Sequence, residues 1–435
     1  MSSHPPKRLL AIAILLLVAG ASAAAQVPAA DLNAEENLDH DRLAYLTQTK
    51  PTPNAREVAA GLRRRQDALE RRVLAREAAG QDTTCSHQIL SETEWMLPDT
   101  LDFARVGKRL DDLEAVLARP EEEAKAGEQV PADGSWGRCH TEWFFRVNAT
   151  YDHLTSQAGK TEKPRYRLQL LDRVNSPEKL RQYFDSVAVS DVAGTGHNNR
   201  RELNESLENL GRLILRGEPG YYPWDPALKE ALLDIVLNRL RNPETGFWGA
   251  RFARDGRVEF EDDLSITFHM ISTLRAEVPR KVPDLAKTMG HLLAVKDLPY
   301  SIGWLRHGGY SNHHNMDVVA LFAYGWPSMT DRQKQAAATE IGKMVRWCLA
   351  DSLQPDGSFR AEPNGDSMEE QISFGASFLA RAGFFDRSKR FWTKEEFPQA
   401  QEVRERIVGY MRAHLKSGGA GGTYYQDTLR ELGVR

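Results

Sequence analysis

Two kinds of helical segment alternate along this chain, and their alternation limits the folds it can adopt. One kind is amphipathic: PALKEALLDIVLNRLR places leucines and valines on one broad face and charged residues on the other. The second kind is apolar nearly all round, as in MDVVALFAYGW and ISFGASFLARAGFF. A helix that is apolar on every side must be buried on every side. The pattern therefore predicts an outer layer of amphipathic helices around an inner layer of buried ones.

Glycine-rich aromatic turns separate the helices at intervals of roughly 50–65 residues, which is typical of a repeat architecture. We expect an all-α fold, an (α/α)6-type toroid with a complete or incomplete double ring of helical hairpins and an N-terminal helical extension. The extension contains a charged helix at 55–80, and residues 118–137 are expected to form a surface loop. The six predicted hairpins are 99–118 with 140–156, 176–190 with 200–216, 226–241 with 262–275, 281–295 with 313–326, 331–352 with 367–384, and 398–416 with 423–433.

The N-terminus has the pattern of a secretory signal peptide, with a basic start, an apolar stretch too short to span a bilayer, and small residues after it. The predicted organisation is a signal peptide at 1–25, an arm and charged helix at 26–98, and a toroid domain at 99–435. Cleavage removes Lys7 and Arg8 and no acid, which takes the net charge from −4 to −6. This charge argues against nucleic acid as a partner. The expected mature protein is soluble, without a membrane partner, and periplasmic or secreted.

Three cysteines bear on the compartment and on metal binding. Cys348 falls on the apolar side of a helical pattern and is interpreted as a buried, inert thiol. Cys85 and Cys139 either form a disulfide in an oxidising compartment or remain free. Neither has the C-x-x-C spacing of a zinc or thioredoxin-type site.

In a toroid the inner helices start at one face, so the polar residues before each of them are expected to meet in a single bowl. The segments are HTEW, HNNRRE, EDDLSITFH, RHGGYSNHHNMD, NGDSMEEQ and TYYQD. Trp248 and Trp304 stand beside them, and aromatic rings next to hydrogen-bonding side chains suit a saccharide. A simpler interpretation makes Asp262, Asn312 and Asp366 helix caps. Three further histidines are interpreted as core residues: His269, His291 and His307.

Two chemistries fit such a bowl. Hydrolysis of a glycosidic bond needs two carboxylates, for which Asp262 or Asp263 can pair with Glu369 or Glu370, and Glu142 lies further round. β-Elimination of a uronate needs a base for the C5 proton, an acid for the leaving oxygen, and groups that neutralise the carboxylate. The residues of HNNR and RHGGYSNHH supply that set. A metal site built from His197, His313, Asp317 and Glu369 is an alternative, although no H-x-x-x-H motif occurs; no cofactor is otherwise expected.

The asparagine and histidine of one rim, and the arginine followed by tyrosine of another, resemble the toroid polysaccharide lyases of the alginate-lyase type. The resemblance implies that Asn198 or Asn199 neutralises the uronate, that Tyr310 transfers a proton and that Arg306 holds the carboxylate. The order in HNNR differs from the Asn-Asn-His of that family, so the base stays open between His197, His313 and His314. The turns DGSWG and DGSFR are also similar to repeats of terpenoid cyclases, but no D-x-D-D motif is present.

The sequence thus predicts a polysaccharide lyase acting on an acidic polysaccharide, with a glycoside hydrolase or a non-catalytic saccharide-binding protein as alternatives. The predicted catalytic residues are His197, Tyr310, His313 and His314. The predicted substrate-binding residues are Asn198, Asn199, Arg200, Trp248, Asp263, Trp304, Arg306, Asn312, Arg360 and Glu370.

Overall fold

The computed structural model describes residues 37–155, 163–216, 222–306, 309–360, 368–415 and 423–434. The predicted signal peptide, the first part of the predicted arm, Asp366 and His307 lie outside these ranges. The described chain is mostly helical, which confirms the expected class. Its helices are α1 Asn37–Thr49, α2 Ala55–Ala78, α3 Thr84–Asp99, α4 Phe103–Ala118, α5 Pro120–Ala124, α6 Trp143–Thr155, α7 Pro177–Val187, α8 Val192–Thr195, α9 Arg200–Arg216, α10 Leu228–Asp234, α11 Leu264–Glu277, α12 Ala286–Ala294, α13 Asn312–Gly325, α14 Asp331–Trp347, α15 Met368–Arg381, α16 Ala400–His414 and α17 Thr423–Glu431.

Six helices contact one another in chain order: α6 packs on α9, α9 on α11, α11 on α13, α13 on α15, and α15 on α17. All five contacting pairs join second members of consecutive predicted hairpins, from α6 and α9 to α15 and α17. Most positions of α9, α11, α13 and α15 are buried. The amphipathic helices contact one another in turn, α7 with α10 and α12 with α14. The predicted division into buried and amphipathic helices is therefore present.

Side chains at the starts of the buried helices fix where each helix begins. Asp263 accepts a hydrogen bond from the Ile266 amide, and Ser311 accepts one from the His314 amide. Both residues satisfy amide groups that lack partners in the first helical turn. Asp263 and Ser311 are therefore caps, whereas Asn312 is already inside α13.

A small sheet interrupts the helical pattern. Its strands are β1 Val189–Ser190, β2 Gly249–Arg254 and β3 Arg257–Asp262, in the order β1-β2-β3. β1 runs parallel to β2, and β2 pairs antiparallel with β3. The hairpin of β2 and β3 occupies the glycine-rich aromatic turn between α10 and α11.

The N-terminal helices form a second, smaller core. It joins apolar residues of α1 to α4, including Leu43, Val73, Ile89 and Leu110, and it continues to Ala126. It therefore includes residues on both sides of the predicted boundary at 98/99. Residues 37–49, expected to be part of the arm, instead form α1, whose Leu43 and Leu46 are buried.

A disulfide between Cys85 and Cys139 ties α3 to the loop before α6. The loop itself is more buried than predicted, since Ser135 and Trp136 are both inside the protein. Cys348 is buried, as expected. Among the described residues, no helix combines the length and the apolar character that crossing a bilayer requires.

Candidate functional site

Arg200 and Asp263, two predicted substrate-binding residues, form a buried ion pair. Their exposed fractions are 4% and 2%. Burial disfavours the Arg200 cation, but Asp263 outweighs it and raises the pKa of Arg200 above its usual range. The pair joins the start of α9 to the start of α11, and so it has a structural role.

The other residues of HNNR are also engaged at the start of α9. Asn198 is buried, and its Oδ1 accepts a hydrogen bond from the Arg200 amide at 2.9 Å. The Asn199 amide donates to the Ser190 hydroxyl at 2.9 Å. His197 pairs through its backbone with Thr100. These residues dock the turn onto β1 and α3.

Trp248 and Trp304 do not provide a stacking surface. Their exposed fractions are 0% and 1%. The indole of Trp248 donates to the Val236 carbonyl at 2.6 Å, and Trp304 lies edge-on to Phe322. Both rings are buried in the core, so the prediction that they contact a sugar is wrong.

Tyr310 packs against α14. Its ring is 6.0 Å from that of Trp347 on α14. Burial raises the pKa of Tyr310, and the charges that act on it are Glu340, Lys343, Lys296 and Asp297. These belong to α14 and to the loop after α12. The structure thus places Tyr310 against the outer helices.

The remaining predicted binding residues are scattered. Arg306 is 7% exposed, and its backbone bonds with Gly309. The buried amide of Asn312 donates to the Ser352 hydroxyl at 2.7 Å. Arg360 is exposed.

His314 is a buried structural residue, while His313 is partly exposed. The His314 ring stacks on Tyr300 with centroids 3.7 Å apart, and its Nδ1 lies 3.3 Å from the Trp304 carbonyl. His313 stacks on Phe374 of α15, and its Nε2 lies 4.0 Å from an Asp317 carboxylate oxygen. Of the predicted bases on α13, only His313 has substantial exposure.

A different set of charged side chains converges on the accessible face of the buried helices. On α9 the residues at i, i+4, i+7 and i+11, from Arg201 to Arg212, are charged and partly exposed, in a helix that is otherwise largely buried. The charged neighbours of this row come from α6, α11, α13 and α15. We call the set the inner cluster: Asp152, Arg201, Glu205, Glu208, Arg212, His269, His313 and Glu370.

Short contacts connect the members of the inner cluster. Glu208 lies 2.6 Å from Arg212 and 3.3 Å from His269 Nε2. Arg201 lies 3.1 Å from Glu205. The guanidinium of Arg212 also sits over the ring of Tyr151 on α6, at 5.5 Å. Three helices thus meet at Glu208 and Arg212.

The pKa values of two carboxylates of the inner cluster are shifted in opposite directions. The surrounding protein raises the pKa of Asp152 to about 7, with the like charges of Glu208, Glu205 and Glu370 adding to the effect and Arg212 opposing it. Asp152 is nevertheless exposed to solvent. Burial disfavours the Glu208 carboxylate too, but His269, Arg212 and Arg201 outweigh it and lower the pKa of Glu208.

The carboxylates predicted for hydrolysis are not brought together as a set. Asp262 accepts hydrogen bonds from Asn242 and Thr245 and pairs with His291 at 3.1 Å. Glu369 accepts one from the Tyr425 amide at 3.1 Å. Burial, with Glu370 and Glu77 nearby, raises the pKa of Glu369 to about 7. Of the four carboxylates predicted for hydrolysis, only Glu370 belongs to the inner cluster.

Most residues of the inner cluster lie within helices, whereas the functional residues were predicted mainly in the turns before them. The available signal was in RRELNESLENLGRLILR, where charged residues recur at helical spacing on an otherwise apolar pattern. His269 was interpreted as a core residue; both of its ring nitrogens have partners, Asn204 and Glu208, but it also lies in the inner cluster. His291 pairs with Asp262.

No group of three or more His, Cys, Asp or Glu side chains in the described ranges is placed to hold a metal ion. The alternative metal set of His197, His313, Asp317 and Glu369 is therefore not assembled. Comparison of the chain with protein-family models, with curated proteins and with solved structures finds no match.

Proposed function

We propose that the chain is an exported glycoside hydrolase, built on an α/α toroid, whose catalytic carboxylates are Asp152 and Glu208. The observation that carries the proposal is the inner cluster. Charged side chains from five helices share one accessible face, although those helices are otherwise largely buried. Such convergence on a common face is costly for stability and is typical of a functional site.

The toroid is supported by the series of contacts from α6 to α17. Asp152 lies on α6 and Glu370 on α15, far apart in that series. They nevertheless interact electrostatically. A row of helices that curves until distant members approach one another is what a ring of hairpins requires.

The two carboxylates suit hydrolysis because their protonation differs. A general acid works best when its pKa lies near the operating pH, as the value of about 7 at Asp152 does. The lowered pKa of Glu208 keeps it ionised, as a base or nucleophile must be. Paired groups whose environments drive their pKa values apart commonly divide the acid and base roles.

Export is supported by two independent features of the chain. The first is the signal-peptide pattern at 1–25. The second is the disulfide between Cys85 and Cys139, which forms and persists in oxidising compartments.

β-Elimination is the second candidate, because the inner cluster also holds Arg201, Arg212, His269 and His313. Two arginines are able to neutralise a uronate carboxylate, and a histidine is able to remove its C5 proton. This version of the lyase hypothesis keeps His313 and does not use Tyr310.

The deciding experiment is a panel of neutral and uronate-containing polysaccharides, incubated with the chain from Gln26 onward. Reducing ends and ultraviolet absorbance are read together. Hydrolysis produces reducing ends without absorbance, whereas elimination produces both because it forms a C=C bond. If neither rises on any glycan, the enzyme proposal is wrong and the saccharide-binding alternative is next.

On a glycan that is cleaved, Glu208→Gln and Asp152→Asn should each lower kcat by about 10²–10⁴-fold. Glu230→Gln is the matched control, since Glu230 is exposed on the amphipathic helix α10. Normal activity in both inner variants would remove these carboxylates from the mechanism.

A further inference from the structure

A line of hydrogen-bonding groups leads from the start of α11 to Glu208. Ser265 interacts with Tyr300 and accepts a hydrogen bond from the Asn204 amide nitrogen at 3.2 Å. The Asn204 oxygen lies 3.0 Å from Nδ1 of His269. Nε2 of His269 lies 3.3 Å from Glu208. His269 therefore stands between a neutral amide and a carboxylate.

This arrangement selects the state of the imidazole ring. An amide oxygen only accepts, so Nδ1 of His269 must carry a hydrogen. In the neutral ring, Nε2 then presents a lone pair to the Glu208 carboxylate, and the two repel. In the protonated ring, Nε2 donates to Glu208 and the contact becomes a charge-assisted hydrogen bond.

The charges that face His269 come from α9 and α13. Glu208 and Glu205 on α9 favour its protonated form, while Arg212 on α9 and His313 on α13 disfavour it. Burial is the largest effect, and it lowers the pKa of His269 below 6.5. The proton on Nε2 is therefore lost at a lower pH than that of an ordinary histidine.

We propose that His269 and Asn204 are positioning residues for Glu208: the proton on His269 Nε2 holds the carboxylate in place, and loss of that proton releases it. The role in catalysis rests on the proposed function, because it makes Glu208 the group that is held. Asn204 contributes by keeping the hydrogen on Nδ1, so that Nε2 is the nitrogen that gains or loses the proton. The acidic limb of the pH profile of kcat would then follow His269, with activity rising as Glu208 is released.

The test needs no substrate. The chain from Gln26 onward is labelled with ¹³C-histidine, and its histidine signals are titrated by NMR. The signal that disappears in His269→Gln identifies the residue. In Asn204→Asp, a carboxylate accepts from Nδ1, and the pKa of His269 should rise by about 1–2 units. In Glu208→Gln, the favourable charge is lost and the pKa should fall below the wild-type value.

Asn238→Asp is the matched control, because Asn238 is exposed and hydrogen-bonds only locally, to Asp234. It should leave the titration of His269 unchanged. If Asn204→Asp fails to fold by circular dichroism, Glu208→Gln decides the matter alone. An unshifted His269 signal in the folded variants would overturn the inference. Shifted signals without cleavage of any glycan would keep the hydrogen-bond assignment and reject only the hydrolase.

Discussion

Residues that attract attention in the sequence for their chemistry are engaged in this structure mainly by structural contacts. Arg200 and Asp263 illustrate the point, since both carry charge at the start of buried helices. The two charges form an ion pair with each other. A buried pair tolerates its loss of hydration only while both partners are present.

Asp263→Asn should therefore destabilise the protein by about 3–5 kcal/mol, because it leaves the Arg200 charge buried without its carboxylate. Asparagine remains a good helix cap, so the change isolates the ion pair from the capping of α11. The free energy of unfolding in urea measures the loss, with Asp234→Asn as an exposed control. A loss below about 1 kcal/mol would mean that the pair contributes no more than an exposed salt bridge does.

At the scale of the element, periodicity predicted the helices well and the irregular parts less well. α9 begins and ends where the predicted helix 200–216 does. The pattern of apolar residues at helical spacing is local, so it can be recognised without knowing the fold. The burial of Trp248 and Trp304 could not be predicted in this way, because it depends on which helices pack over those turns.

The loop before α6 shows how distant contacts fix an element. The disulfide ends at Cys139, and Glu92 of α3 accepts hydrogen bonds from Thr141 and from the Glu142 amide. His140, Arg109 and Thr141 outweigh the effect of burial and lower the pKa of Glu92 to about 2. Residues separated by some 50 positions thus hold the start of the helix that carries Asp152.

Replacing Cys85 and Cys139 with alanine should cost about 4 kcal/mol of stability, from the chain entropy of a loop closed across a sequence separation of 54. The free energy of unfolding in urea measures the loss. Cys348→Ala serves as the control for removing a buried thiol outside this loop. A loss below about 1 kcal/mol would mean that the disulfide constrains the unfolded chain much less than a loop of this length should.

At the scale of the whole molecule, the inner cluster gathers like charges where the helices could have been apolar. The carboxylates of Asp152, Glu205, Glu208 and Glu370 lie close enough to influence one another. Proteins accept such a loss of stability where activity requires it. The cost should be visible as a pH dependence of folding, even before a substrate is known.

For Asp152, the direction of this pH dependence of stability follows from its pKa. Its pKa rises from 3.8 to about 7 on folding, so between these values the folded state binds more protons than the unfolded state. The stability associated with the protonated group is present below pH 3.8 and is lost as the pH rises through about 7. Asp152→Asn should therefore melt at a higher temperature than wild type at pH 8, with little difference at pH 4.

Thermal unfolding at the two pH values measures the effect, and Asp234→Asn, an exposed change on the outer helix α10, should show no gain at either pH. If Asp152→Asn melts at a higher temperature only at pH 8 and no longer cleaves the glycan, the Asp152 carboxylate both lowers stability and is needed for activity. If Asp152→Asn melts like wild type at pH 8, water solvates Asp152 fully. Its pKa would then be ordinary, and the general acid would have to be sought at Glu370, another carboxylate of the inner cluster that acts on Asp152.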